Sequence, residues 1–374
     1  MMADWKELTV GDLCDTISDT YHRNDDEVVL VNTSDVLEGK ILNHQAVENK
    51  NLKGQFKKTF KKDDILYSEI RPANKRYAYV DFEETEHYIA STKLMVLRPK
   101  TDVVLPRFLF AFLSSNHVLA ELQHLAETRS GTFPQITFSS ELASIPIAVP
   151  DFETQEKIIS ILSSIEEKIH YNTEINENLQ EQAQTIFKSW FVDFEPFGGV
   201  MPDVWSETTL GKIASISTKS INPHKQPELY LEHYSIPAYD EKHYPVFEYA
   251  SEIKSNKYVL TNNSIMISKL NPETKRIWRP LCLSSNSVCS TEFIVYESFN
   301  PEHKDYIYSL IDSKAFLDYL CAHTTGSTNS RQRATPKTTL DFSCVLPTND
   351  VINCFCGTVT PMYNQIATIN LAIK

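Results

Sequence analysis

Apolar and seam-type residues recur through residues 151–197 at Ile158, Leu162, Ile165, Ile169, Asn172, Asn176, Leu179, Ala183, Ile186 and Trp190, in alternating steps of four and three. This spacing predicts one helix carrying a heptad stripe, roughly 50 Å long between Ile158 and Trp190 at 1.5 Å per residue. Asp151 is placed to cap it, with Thr154, Gln155 and Glu156 in the first turn. Pro196, Gly198 and Gly199 are placed to stop it. Two stripe positions one turn apart, Asn172 and Asn176, are polar. In a coiled coil such amides weaken the pairing but penalise shifted registers, where they would face apolar partners. The stripe predicts a helix built to meet a specific partner.

The sequence before this helix recurs after it at an offset near 200. Trp5 and Gly11 line up with Trp205 and Gly211, and Asp64-Ile65-Leu66-Tyr67-Ser68-Glu69-Ile70-Arg71-Pro72 with Ser264-Ile265-Met266-Ile267-Ser268-Lys269-Leu270-Asn271-Pro272. Ser91-Thr92-Lys93-Leu94 then falls on Ser290-Thr291-Glu292-Phe293, Phe108-Leu109-Phe110 on Tyr306-Ile307-Tyr308, and Pro150 on Pro347. Past Pro347 the stripe repeats as Phe355, Val359, Met362, Ile366, Ile369 and Ile373, which predicts a second helix. The pair Thr360-Pro361 suits either a kink in that helix or a later start.

The order of the chain is therefore domain (1–150), long spacer helix (151–197), domain (198–347) and a second, shortened helix (348–374). Within each domain, runs at 28–32, 65–70, 77–81, 95–97, 265–270 and 293–296 read as strands. Residues 105–123 and 301–321 read as helices. The fold class expected is α+β, with two homologous heads separated by long helices. A second helix folded back antiparallel on the first would give the repeat a pseudo-two-fold axis.

Composition bounds the function. With 41% hydrophobic and 23% charged residues the chain reads as ordinary globular protein. No run of eighteen apolar residues and no signal peptide is present, so a cytoplasmic location without membrane contact is expected. Seven cysteines read as reduced thiols, and the lone pair Cys354 and Cys356 is a weak metal signal without a second pair. The net charge of −13 is concentrated on residues 151–199, which hold 3 Lys+Arg against 10 Asp+Glu. The two heads are left nearly balanced and free to present basic faces.

Neither GxxxxGK[ST] nor GxGxxG occurs, nor HExxH, GxSxG or a paired Cys/His pattern. No catalytic residue, resident cofactor or metal is expected. Basic and polar loops interleaved with aromatics do recur. In the first half they present Lys57, Lys58, Lys61, Arg71, Lys75, Arg76, Arg129, Ser130, Thr132 and Gln135; in the second, Lys269, Asn271, Lys275, Arg276, Thr328, Asn329, Arg331, Gln332 and Arg333. Arg, Lys, Asn and Gln read base edges, and Lys, Ser and Thr hold phosphates. The bland alternative for each is a solvated surface. A helix of roughly 50 Å between two related readers would span about 15 base pairs.

Ile147-Ala148-Val149-Pro150 leading through Gln155-Glu156-Lys157-Ile158 and Asn172 to Trp190-Phe191-Val192-Asp193-Phe194, with the restart at Trp205 and Gly211, resembles the specificity subunit of type I restriction-modification systems over nearly the whole chain. The resemblance implies a non-catalytic, sequence-specific reader of a bipartite double-stranded DNA target. Each target-recognition domain reads one half, and two modification (methyltransferase) subunits dock on the helices through Ile158, Leu162, Ile165, Ile169, Asn172, Asn176, Leu179, Ile186, Trp190 and Phe191. S-adenosylmethionine, ATP and Mg²⁺ are implied only for the modification and restriction subunits. The second stripe departs from the pattern, carrying Ile369 and Ile373 where the first has asparagines. Two other readings stand beside this one: a coiled-coil scaffold that binds only proteins, and a single-chain enzyme, disfavoured by the missing cofactor loops.

Overall fold

Strands of β-branched and aromatic residues pair into two larger sheets in each half of the chain, built around the same arrangement of four strands each time. The computed structural model describes residues 5–23, 25–50, 54–128, 134–325 and 332–373. It divides into two units, Met1–Glu167 and Lys168–Lys374.

In the first unit Leu94–Pro99 pairs antiparallel with Cys14–Ile17 on one side and Ile65–Ser68 on the other, and Tyr77–Tyr79 follows. The second unit repeats this with Phe293–Ser298, Ala214–Ser217, Ser264–Ser268 and Ile277–Trp278. The other sheet is mixed in both units: Tyr88–Ser91 runs parallel to Glu27–Val31, and Ser287–Ser290 parallel to Tyr230–Tyr234. A short antiparallel pair closes each head beside its outgoing helix, Lys6–Thr9 on Pro146–Val149 and Ser206–Thr209 on Ser343–Leu346. The duplication is thus present in these sheets, with one further strand, Ser220–Ile221, on the mixed sheet of the second unit.

The matched glycines have a packing reason. A Cβ on Gly11 would lie 3.2 Å from Ala143, and one on Gly211 would lie 3.1 Å from Leu340. Both positions admit no side chain without a shift.

Where one helix was expected after the sheet, each unit has two: Pro106–Leu113 and Asn116–Thr128 in the first, Lys304–Asp312 and Lys314–Ala322 in the second. Serine makes the break. Ser313 has extended backbone (ψ 152°) and its hydroxyl accepts from the Phe316 N–H, the bond that starts a new helix and competes with continuing the old one.

The long helix runs Phe152–Phe191. Asp151 caps it, accepting from the Thr154 N–H at 2.8 Å. It stops short of Phe197, because Phe194 turns left-handed (φ 54°) and a 3₁₀ turn follows at Glu195–Phe197. At its start Ile158 and Ile159 pack on the first unit's core. Within the second unit Ala183, Phe187 and Phe191 are buried against Phe355, Val359 and Tyr363 of the C-terminal helix, Asn349–Ala372. Phe191 lies 5.0 Å from Phe355 between ring centroids, while Asn176 donates to Asn370 Oδ1 at 2.8 Å, so the two helices run antiparallel.

That helix is continuous through Pro361. Thr360 is not a cap: its hydroxyl donates to Asp305 Oδ2 at 2.6 Å. The buried stripe also differs from the expected one. Ile186 and Trp190 are half-buried beside the core, whereas Phe187 and Phe191 fill it. A straight helix at 3.6 residues per turn drifts by about 20° per heptad, so a strict 3.5 pattern walks off the buried face.

Candidate nucleic-acid interface

The two loops that follow the Ile65–Ser68 and Ser264–Ser268 strands are built by the same bonds. Ser68 Oγ donates to the Ile70 carbonyl at 3.2 Å, and Ser268 Oγ to that of Leu270 at 2.9 Å. Arg71 and Asn271 then turn left-handed, with φ of 47° and 48°. The Arg71 N–H donates to the Pro134 carbonyl and the Asn271 N–H to that of Gln332, at 3.1 and 3.0 Å. Ile70 is bridged to Gln135 and Leu270 to Arg333. In each head a returning chain segment is thereby fixed beside a polar loop on the edge of the central sheet.

Side chains converge there. Glu69 accepts from Gln135 Nε2 at 3.1 Å and pairs with Lys93 at 3.3 Å. In the other head Arg333 forms a two-pronged pair with Glu292, Nε to Oε2 at 3.0 Å and Nη2 to Oε1 at 3.4 Å. The acid and base have changed places between the copies: Glu69 and Lys93 correspond to Lys269 and Glu292. Nearby, Lys58 Nζ donates to the Leu94 carbonyl at 2.8 Å, and burial pushes its pKa down, partly offset by the Glu69 carboxylate.

The sequence-derived residues fall into distinct groups. Gln135, Arg333, Arg71, Asn271, Lys269 and Gln332 lie in these paired segments. Lys57 and Lys61 are exposed on the neighbouring Phe56–Lys58 strand and the loop after it. Four others serve internal contacts. Lys75 pairs with Glu38 at 2.7 Å, and Arg76 donates to the carbonyls of Ser34 and Val36 at 3.0 and 3.3 Å. Arg276 grips Asp240 with Nε at 2.6 Å and Nη2 at 2.9 Å, and Lys275 is paired with the buried Asp312. Arg129, Ser130, Thr132, Thr328, Asn329 and Arg331 lie outside the described residues.

Along the long helix, Leu162, Ile165 and Ile169 are 39%, 51% and 39% exposed, a continuous apolar stripe facing outward. Asn172 and Leu179 are half-buried, and Asn176 makes the amide pair with Asn370. Sequence reasoning missed the polar residues that tie this helix to the second head. Gln180 Nε2 donates to Asp312 Oδ2 at 2.6 Å, and Gln184 Nε2 to the Ser309 carbonyl at 3.2 Å. Both lie one residue off the heptad stripe, where its pattern gives no signal. Burial drives the Asp312 carboxyl pKa upward against the pull of Lys275. Among the described residues no group of three or more His, Cys, Asp or Glu could hold a metal, and no helix is long and apolar enough to cross a membrane.

Residues 2–181 match the family described as the type I restriction modification DNA specificity domain. The chain is 50% identical over 196 residues to the type I restriction enzyme HindI specificity subunit of Haemophilus influenzae, covering 52% of this chain and 42% of that protein. It is 32% identical over 154 residues to the MjaIX specificity subunit of Methanocaldococcus jannaschii, covering 38% and 34%. The matched stretches span less than half the length of either relative. Among solved structures, the type I restriction-modification S subunit from M. genitalium aligns with 100% of this chain and 92% of its own at a TM-score of 0.55 and 14% identity, which is likeness of fold. Residues 2–181 of this chain thus match the type I restriction modification DNA specificity domain, and the chain shares its fold with a solved S subunit.

Proposed function

We propose that this chain is the DNA-reading subunit of a type I restriction-modification complex, each head contacting one half of a split duplex target. The observation that carries this reading is the duplicated loop and returning segment, the same backbone bonds in both heads presenting different side chains: Gln135 and Arg71 in one, Arg333 and Asn271 in the other. Equal scaffolds with unequal readers suit an asymmetric bipartite site. Lys57 and Lys61 supply positive charge for phosphates beside the first reader.

The chain itself performs no chemistry in this reading. Modification subunits bring S-adenosylmethionine, restriction subunits bring ATP and Mg²⁺, and the assembly works in the cytoplasm. The outward stripe of Leu162, Ile165 and Ile169 is the surface offered to the modification subunits.

Exchanging residues 1–150 for the reader of another such chain is expected to change one half of the methylated target and leave the other intact, as read by methylation sequencing of whole DNA. A change in both halves refutes two independent readers. Ile165→Asp is expected to cut co-purification of modification subunits by at least about tenfold, since a charge at the centre of an apolar contact stays unpaired. The melting temperature of the free chain should hardly move, because the site is exposed. Undiminished co-purification would show that the stripe is not the docking surface.

A further inference from the structure

We infer that Glu69 and Glu292 are the specificity-setting residues of the two heads: each carboxylate locks a reader side chain, Gln135 or Arg333, into the one orientation that matches a purine edge, adenine for Gln135 and guanine for Arg333. This rests on the DNA-reading function proposed above.

An amide side chain is ambiguous by itself, since its oxygen and nitrogen ends are alike in shape and a half-turn exchanges them. A carboxylate beside it removes the ambiguity, because a carboxylate only accepts. With Nε2 held on Glu69 Oε2 at 3.1 Å, Gln135 keeps Oε1 and its second Nε2 hydrogen for a ligand. One acceptor beside one donor is the complement of the adenine major-groove edge, which presents the N6 donor and the N7 acceptor. Lys93, 3.3 Å from the same oxygen of Glu69, holds that carboxylate in place.

Arg333 is fixed in the corresponding way with a different outcome. Glu292 takes Nε and one hydrogen of Nη2, the side of the guanidinium fork. The end of the fork, both hydrogens of Nη1 and the remaining one of Nη2, donates to nothing among the described residues. Two parallel donors match the O6 and N7 acceptors of guanine and no other base edge in that groove. An arginine held in this way reaches a base without losing rotamer freedom on binding, so its orientation contributes to discrimination as well as affinity.

The arrangement is built twice from opposite ends. In the first head the acid follows the Ile65–Ser68 strand and the base precedes Leu94–Pro99; in the second the base follows Ser264–Ser268 and the acid precedes Phe293–Ser298. An ordinary surface ion pair carries no requirement to touch the returning segment. Here the acid, wherever it sits, takes the side chain at the position bridged to Ile70 or Leu270.

The test is selection from a pool of randomised duplexes by the full chain expressed with its modification subunits, followed by sequencing. The wild-type protein should enrich a bipartite motif. Glu292→Ala is expected to lower the preference for guanine over other bases at one position of one half-site by about tenfold, leaving the other half unchanged. Glu69→Ala should relax an adenine position in the other half. Arg333→Lys, which keeps the charge and loses the fork, should relax the same position as Glu292→Ala. The milder Glu292→Gln and Glu69→Gln repeat the test should an alanine variant melt early. If the variants enrich the unchanged motif, or bind all sequences equally more weakly, the inference is overturned while DNA reading stands. If the wild type enriches no motif, the DNA-reading function itself fails.

Discussion

Replacing Phe191 with alanine is expected to destabilise the second unit by about 3–5 kcal/mol, the usual cost of deleting a fully packed aromatic side chain. The ring is 4% exposed and sits among five others: Phe187, Trp190, Trp205, Tyr306 and Phe355, with centroids 5.0 to 6.1 Å away. These come from the long helix, the start of the second head, its Lys304–Asp312 helix and the C-terminal helix. No one of those elements can move in to fill the void without leaving another contact, so the site collapses poorly and the loss should lie high in the range. Thermal unfolding of the purified chain checks this. A loss below about 1 kcal/mol would mean that the junction is not cooperative. Trp190→Ala, at a half-buried ring on the rim of the same cluster, should cost distinctly less.

Asp305→Ala is expected to cost a comparable amount, about 3–5 kcal/mol, for a different reason. Asp305 holds Arg279 with Nε at 2.6 Å and Nη2 at 3.1 Å and accepts from Thr360 at 2.6 Å. The Asp305 and Arg279 side chains are only 5% and 16% exposed. Alanine strips the carboxylate and leaves the guanidinium in a site where water cannot replace its partner. The discriminating measurement is the double variant Arg279→Met with Asp305→Leu, which removes both charges. Unfolding in denaturant should return it most of the way to wild type, since a buried pair replaced by apolar side chains is often neutral. A double variant as unstable as the single one would mean that the pair itself, and not the stranded charge, sustains the fold.

How far the sequence discloses this arrangement depends on the range of the interaction. The long helix and its Asp151 cap follow from periodicity and one capping residue, both local. The duplication follows from ordered matches, and the pairing of Gly11 with Gly211 has its cause in two tight approaches. The breaks after Leu113 and Asp312 are hidden because apolar periodicity continues across them, while the Ser115 and Ser313 hydroxyls accept from the N–H groups that start the next helix. For the interface, residue type pointed at Gln135 and Arg333 but equally at Arg76 and Arg276. Partners alone do not separate them, since Asp240 grips Arg276 as Glu292 grips Arg333; exposure does, the Arg276 side chain being 13% exposed against 46% for Arg333, while Arg76 is spent on the Ser34 and Val36 carbonyls. Those partners lie about 36 to 42 residues away in the chain, beyond any local pattern. One signal of the site is present in the sequence. At matched positions the repeat exchanges Glu69 and Lys93 for Lys269 and Glu292, and two opposite charges that swap together across a duplication identify a contact.

The exchanged acid and base bear on any attempt to engineer one head from the other. Transplanting the arginine of the second head to the first, as Gln135→Arg, would bring a guanidinium to a carboxylate already occupied by the Lys93 ammonium. Two cations would then compete for one acid, and the newcomer would be steered away from the pose it holds in its native surroundings. A working graft has to carry positions 69, 93 and 135 as a unit, so the smallest interchangeable part of this protein is a triplet drawn from three separate segments of the chain.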